Sequence, residues 1–138
     1  MNNAVIDEAC EFMKKHNSKA LDWGEDNLRR YIEFYFKNQS IAFGIVREQG
    51  KMIALGMARP LDLLNLMTHS KNYAHYDKNG DVIYINVVCA SDKRAVPRLW
   101  DIMIEQLGRR PFVAGRRHDK VRLWDFKKYQ DIVYHLEA

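Results

Sequence analysis

The chain has 138 residues, 47% of them hydrophobic, and a formal net charge of +4, a length that fits one domain able to bury a single core. Its longest apolar runs are strand-length and broken by charges, which argues against a membrane helix, and its first residues show no basic region followed by an apolar stretch, so no secretory signal is read. Cys10 and Cys89 stand too far apart for a metal or redox spacing, and no linker or repeat interrupts the sequence; a single domain over residues 1–138 of a cytoplasmic protein with reduced thiols is expected.

In chain order, Ile6, Ala9, Cys10, Phe12 and Met13 recur at helical spacing and predict a helix over Val5 to His16, stopped by Asn17-Ser18. A second helix is expected from Glu25 to Asn38, with Asp22 or Gly24 as its cap and Leu28, Tyr31, Ile32, Tyr35 and Phe36 as its apolar stripe. Ser40 to Arg47 and Lys51 to Arg59 read as a hairpin joined by Glu48-Gln49-Gly50. The second strand alternates Met52, Ala54, Gly56 and Ala58 against Ile53, Leu55 and Met57, and a face of small residues permits close approach by a helix or a ligand. Pro60 is expected to end that strand, Leu61 to Met67 to form a short helix, and Thr68 to Asn79 a polar loop. Loops of that length in compact domains are functional or mobile. Val82 to Cys89 reads as a buried strand and Arg94 to Leu107 as a helix burying Val96, Leu99, Trp100, Met103 and Leu107, with Gly108 and Pro111 as its stop. Phe112 to Arg117 and Lys120 to Phe126 read as strands, and Tyr129 to Leu136 as a closing helix or strand. The order α-α-β-β-β-α-β-β/α describes a mixed α/β (α+β) fold.

The junction of strand Val82–Cys89 with the helix after it is the candidate site, because unsatisfied amides and the dipole at a helix N-terminus favour an anion such as a phosphorylated cofactor. Charge is concentrated nearby: eleven Lys or Arg against four Asp or Glu lie between Lys93 and Lys128, which suits an anionic partner or a solvated basic face. Cys89 has no histidine near it in sequence and reads as structural. His69 and His75 are too loosely spaced for a metal, and His118 falls among Arg116, Arg117 and Lys120, where positive neighbours disfavour its protonation. No Walker loop, dinucleotide glycine motif, zincin helix or triad elbow occurs, and no metal is expected.

This order, with Arg94-Ala95-Val96-Pro97-Arg98-Leu99 at the junction, resembles the acyl-coenzyme A-dependent N-acyltransferase superfamily abbreviated GNAT. The resemblance implies a mostly antiparallel sheet flanked by helices, in which the junction strand and helix splay to admit the cofactor. The family motif there is Arg or Gln, two variable residues, Gly, one variable residue, then Gly or Ala; this chain keeps Arg94 but has Pro97 and Leu99 at the small-residue positions. The likeness implies acetyl-CoA or another acyl-CoA held by Val87, Val88, Cys89, Lys93, Arg94, Ala95 and Arg98, with a strand bulge around Val87 to Cys89 giving a backbone donor. It implies Tyr129 or Tyr134 as proton donor to the leaving thiolate. Gly80 through Arg116, followed by Lys120 to Phe126, is also similar to the toxin-activating lysine acyltransferases, a divergent branch. Those rely on an N-terminal histidine and a central-strand aspartate, where this chain has His16 and Asn86.

The expected function is transfer of an acyl group from acyl-coenzyme A to an amine that approaches over the Thr68 to Asn79 loop. An inactive relative serving as a binding or structural module, of a phage or mobile-element type, is the alternative. A small nucleic-acid-binding protein is the third, from basic residues beside Trp100, Phe112 and Trp124, although Trp100 and Trp124 fall at core-like positions. No membrane partner is expected.

Overall fold

In the computed structural model, which describes residues 3–17, 22–117 and 120–136, the two N-terminal stripes are helices α1 (Asn3–His16) and α2 (Glu25–Lys37). The expectations for Ser18 and His118 lie outside the described residues. Gly24 is the N-cap of α2 at φ 81°, a backbone region glycine adopts freely, and no side chain, Asp22 included, makes a capping hydrogen bond there.

Strands β1 (Ala42–Glu48) and β2 (Lys51–Leu61) form the expected hairpin, through Gln49-Gly50 alone. Both turn residues have positive φ, 52° and 78°, the pattern that matches the twist of the paired strands. Arg47 pairs with Met52 and Val46 with Ala54, so Ile53 is the extra residue of a bulge. The bulge corrects the expected alternation. Met52 joins Leu55 and Met57 under α1 and α2, while Ile53 packs with Ala54 and Ala58 on the other face. Pro60 does not end the strand either. The last β1–β2 pair is Ala42–Ala58, so from Arg59 onward β2 is an edge on that side, where a missing N–H is tolerated.

After β2 come a 3₁₀ turn (Leu63–Asn65) and one helical turn, α3 (Leu66–His69). The segment 70–81 then runs without helix or strand and is fastened by Asp77. Its N–H donates to the Pro60 carbonyl (2.9 Å), and its carboxylate accepts from the Asp62 N–H (2.8 Å) and Asn65 Nδ2 (3.1 Å). Strand β3 (Val82–Ala90) leads through a 3₁₀ turn (Lys93–Ala95) into α4 (Val96–Leu107), where Pro97 sits in the first turn and its missing N–H costs nothing. Strands β4 (Phe112–Arg117) and β5 (Lys120–Asp125) follow, and the chain closes with helix α5 (Phe126–His135), capped by Asp125 accepting from the Lys127 and Lys128 N–H groups.

The described residues thus form a mixed α/β fold with five α-helices and a five-stranded sheet ordered β1-β2-β3-β4-β5, antiparallel except for β3–β4. Helices α1 and α2 cover one face, α4 and α5 the other. Gly44 and Gly56 are paired across β1–β2 and make a notch for α4. A Cβ at Gly56 would stand 2.8 Å from Met103 Sδ and 3.0 Å from Leu99 Cδ2. The small-residue face therefore receives a helix, and Leu99 points into the sheet. No helix among the described residues is long and apolar enough to cross a membrane.

Candidate functional site

The site begins with a parting of strands. The β3–β4 ladder runs from Val82–Phe112 to Ile85–Gly115 and stops. Beyond it β3 stays with β2 as far as Ala90, and β4 stays with β5 as far as Arg117. The sheet therefore opens into a wedge at its middle. β3 also bulges at this point: Val87 pairs with Met57 and Ile85 with Ala58, which leaves Asn86 as the extra residue. A bulge takes one residue out of the ladder and re-aims its neighbours.

Cavities lie against the wedge on both faces. The one under α4 and α5, about 660 Å³, is walled by Ile85, Val88, Trp100, Tyr129 and Ile132, with Arg117 and Arg122 at its border. The one under α2, about 730 Å³, is bounded by Trp23, Tyr31, Lys71, Tyr73 and Tyr84. Asn86 and Arg116 line both. A depression of about 740 Å³ beside Arg30, Phe34 and Lys37 is a nearly flat stretch of surface and gathers none of the candidate residues.

The α2 side is built from tyrosines and arginines. Tyr31 is stacked between Trp23 (centroids 5.2 Å apart) and Tyr73 (4.7 Å). Burial pushes the Tyr31 hydroxyl far up from its ordinary acidity, the Tyr35 phenol adding to the rise and the Asn86 amide opposing it. Burial likewise pushes Tyr35 up to about 12, with Arg59 opposing. Arg59, on β2, is completely buried. Its Nη2 donates to the carbonyls of His69 (2.7 Å) and Ser70 (3.2 Å), its Nη1 to the Tyr35 hydroxyl (3.5 Å), and its guanidinium lies 4.7 Å over the Tyr84 ring. Arg116 Nη2 donates to Ser70 Oγ at 2.6 Å, linking β4 to the 70–81 segment. Asn86 Oδ1 is buried among the described residues without a hydrogen-bond partner.

The candidates named from sequence are divided by the bulge at Asn86. Val88 faces the α4-side cavity, whereas Val87 and Cys89 turn toward α1 and α2 and pack in that core. Burial pushes the Cys89 thiol up to about 12, in keeping with a structural thiol. In the turn that leads into α4 two amides are already in use: Asp92 accepts from the Arg94 N–H at 2.9 Å, and the Ala95 N–H donates to the Asp92 carbonyl at 3.0 Å. The Arg94 guanidinium is held by the same carboxylate at 2.8 Å, and Arg98 lies 3.6 Å from Glu48. Neither these residues nor the exposed Lys93 line the cavity. Tyr129 lines it, its ring tilted against those of both Trp100 and Trp124 with centroids 5.1 Å away, and burial raises its pKa. Tyr134 lies outside, donating to Asp101 at 2.6 Å.

The loop expected to admit substrate contributes Ser70, Lys71 and Tyr73 to the α2-side cavity. The sequence pattern places Tyr31 only in the apolar stripe of the second helix and singles out neither Arg59 nor Tyr84; the density of tyrosines in the second helix and around residues 73–84 was the available signal. Trp100 is buried in the core and Trp124 half-buried in the cavity wall. No group of His, Cys, Asp and Glu that could hold a metal occurs among the described residues. No protein-family model, curated protein or solved structure matches the chain.

Proposed function

We propose that the protein is an N-acyltransferase that takes an acyl-coenzyme A on the α4/α5 side of the wedge and an amine on the α2 side. The observation that carries this reading is the wedge: two cavities on opposite faces of one sheet share Asn86 and Arg116 at a bulge. Joining two substrates requires them to meet at fixed geometry, with the reacting atoms away from bulk water. The resemblance to the N-acyltransferase superfamily agrees, since there too a central pair of strands splays to admit the cofactor.

The residues of the α4-side cavity fit the cofactor. Apolar walls at Ile85, Val88, Trp100 and Ile132 suit an acyl-pantetheine chain, and Arg117 and Arg122 suit its phosphates. This assigns the phosphates to β4 and β5 because Asp92 already caps the turn before α4. Bound acyl-coenzyme A supplies an acyl group activated as a thioester. The bulged Asn86–Val87 backbone provides a donor for negative charge developing in the wedge. Tyr129 lines that cavity, and its raised pKa keeps it protonated at neutral pH, which suits it to act as the proton source.

One observation favours a second reading, the inactive relative: the same Asp92 carboxylate places a fixed negative charge where the family binds pyrophosphate. Thermal unfolding with acetyl-CoA and longer acyl-CoA thioesters separates the two. A cofactor at 100 times its dissociation constant adds about 2.7 kcal/mol of stability, and adding an amine then releases free thiol. No stabilisation by any acyl-CoA tested leaves the inactive module.

A further inference from the structure

Among the described residues, the α2-side cavity is bordered by more cationic side chains than carboxylates. Lys71 and Arg116 line it, Arg59 stands directly behind Tyr84 and Ser70 in its wall, and Asp22 is the carboxylate among its described lining residues. Arg59 is the sharper anomaly. It is fully buried, yet it is met by two carbonyls, one hydroxyl and a ring face, and among the described residues it pairs with no carboxylate and its Nε has no hydrogen-bond partner. A buried charge without a counter-ion is costly, and a negative group in the adjoining cavity offsets that cost. Guanidinium and ammonium groups together recognise oxyanions, with carboxylates and phosphates the common ones. The same positive field disfavours an ammonium ion, so an amine held there is shifted toward its neutral, nucleophilic form. That matters because no histidine is among the described residues lining the cavity.

Resting on the assignment of this cavity to the acceptor, we propose that the acceptor is a small amine that carries its own oxyanion, a carboxylate or a phosphate, anchored by Lys71 and Arg116 with Arg59 behind them. Arg59 then acts through its field and not by contact, which makes it a positioning residue.

Matched pairs of amines test this by calorimetric titration of the full chain without acyl-coenzyme A: tyrosine against tyramine, and phosphoethanolamine against ethanolamine. The expected result is that the anionic member of at least one pair binds roughly tenfold or more tighter than its partner, and which pair responds identifies carboxylate or phosphate. Lys71→Met, at an exposed position, narrows that gap while acetyl-CoA still raises the melting temperature. Arg59→Met narrows it further, with its own unfolding curve recorded alongside. Equal affinity within both pairs, or no binding of any of the four at millimolar concentration, overturns the proposal. A protein that discriminates the pairs but binds no acyl-coenzyme A sinks the acyltransferase reading alone; one that binds acyl-coenzyme A without discriminating sinks the acceptor assignment alone.

Discussion

Three glycines grade the packing around the wedge: Gly56 faces α4, Gly80 the backbone at the end of β2, and Gly115 the β3 strand beside it. Each is replaced by alanine, so the perturbation is one methyl group and only the surroundings differ. At Gly80 the new Cβ would lie 2.5 Å from the Leu61 carbonyl oxygen and 2.8 Å from the Asp62 nitrogen. Both are backbone atoms that no rotamer change can move. At Gly56 it would meet Met103 Sδ at 2.8 Å and Leu99 Cδ2 at 3.0 Å, flexible tips, but tips of side chains that are themselves buried. At Gly115, the last residue before the strands part, the nearest atom is Ile85 O at 3.7 Å, an ordinary contact. Overpacking a filled interior costs about 1–3 kcal/mol, occasionally more, depending on how far neighbours can yield. Replacing an unstrained glycine by alanine returns about 0.4–1 kcal/mol through the unfolded chain. The expected order is therefore a loss of about 3 kcal/mol or more for Gly80→Ala and about 1–2 kcal/mol for Gly56→Ala, with Gly115→Ala neutral or about 0.5 kcal/mol more stable. Urea unfolding reads the order directly, provided the slopes stay equal. A Gly56→Ala protein as stable as the parent, or a Gly115→Ala protein as damaged as Gly80→Ala, refutes the packing described for α4 and β4.

Other outcomes follow from the site and its supports. Tyr129→Phe is expected to lower the transfer rate by about 100-fold or more while acyl-CoA binding persists, whereas Tyr134→Phe, which removes an exposed hydrogen bond to Asp101 outside the cavity, leaves the rate unchanged; the reverse ranking would exchange their roles. Cys89, pushed up to about 12 by burial, resists thiol reagents in the folded protein at pH 8, and full modification before unfolding contradicts its placement. Its folded pKa lies above the unfolded value, so its stabilising share is complete below about pH 9 and is lost as pH rises toward 12; Cys89→Ala should flatten that alkaline decline. Asp77 runs the other way. Burial pushes its carboxyl up, but the Asp62 N–H, the Asn65 amide and His75 together hold it below the ordinary value. Its contribution is therefore present above the usual carboxylate range and lost as pH falls through its folded pKa. Asp77→Asn should cost about 1–2 kcal/mol at neutral pH, with the difference vanishing in acid; a constant difference at all pH values would show that charge is not involved.

Periodicity made most elements legible. Of the expected stripe, Leu99, Trp100, Met103 and Leu107 are buried and Val96 only partly so, and Ala54, Gly56 and Ala58 receive α4 as a small-residue face should. What the sequence concealed depends on register. Strict alternation places Val87 and Val88 on the wrong sides of β3, because nothing local announces that Asn86 is an extra residue. The wedge is likewise a property of four strands at once: β3 keeps to β2 while β4 keeps to β5. Arg59 beside Pro60 reads as a strand end, yet the loop carbonyls of His69 and Ser70 fold back to satisfy the guanidinium and make it a buried residue. Asp92 was legible and was passed over, since an aspartate before a helix is a strong N-cap signal even inside a basic stretch.

The most direct test of the central claim is amide hydrogen exchange across the whole chain with and without saturating acyl-coenzyme A. Cofactor seated on the α4/α5 side should slow exchange at residues 85–88, 114–117 and 129–136, with little change along the outer side of α2 near residues 30–39. Unchanged exchange throughout, or protection confined to the outer side of α2, would contradict the account.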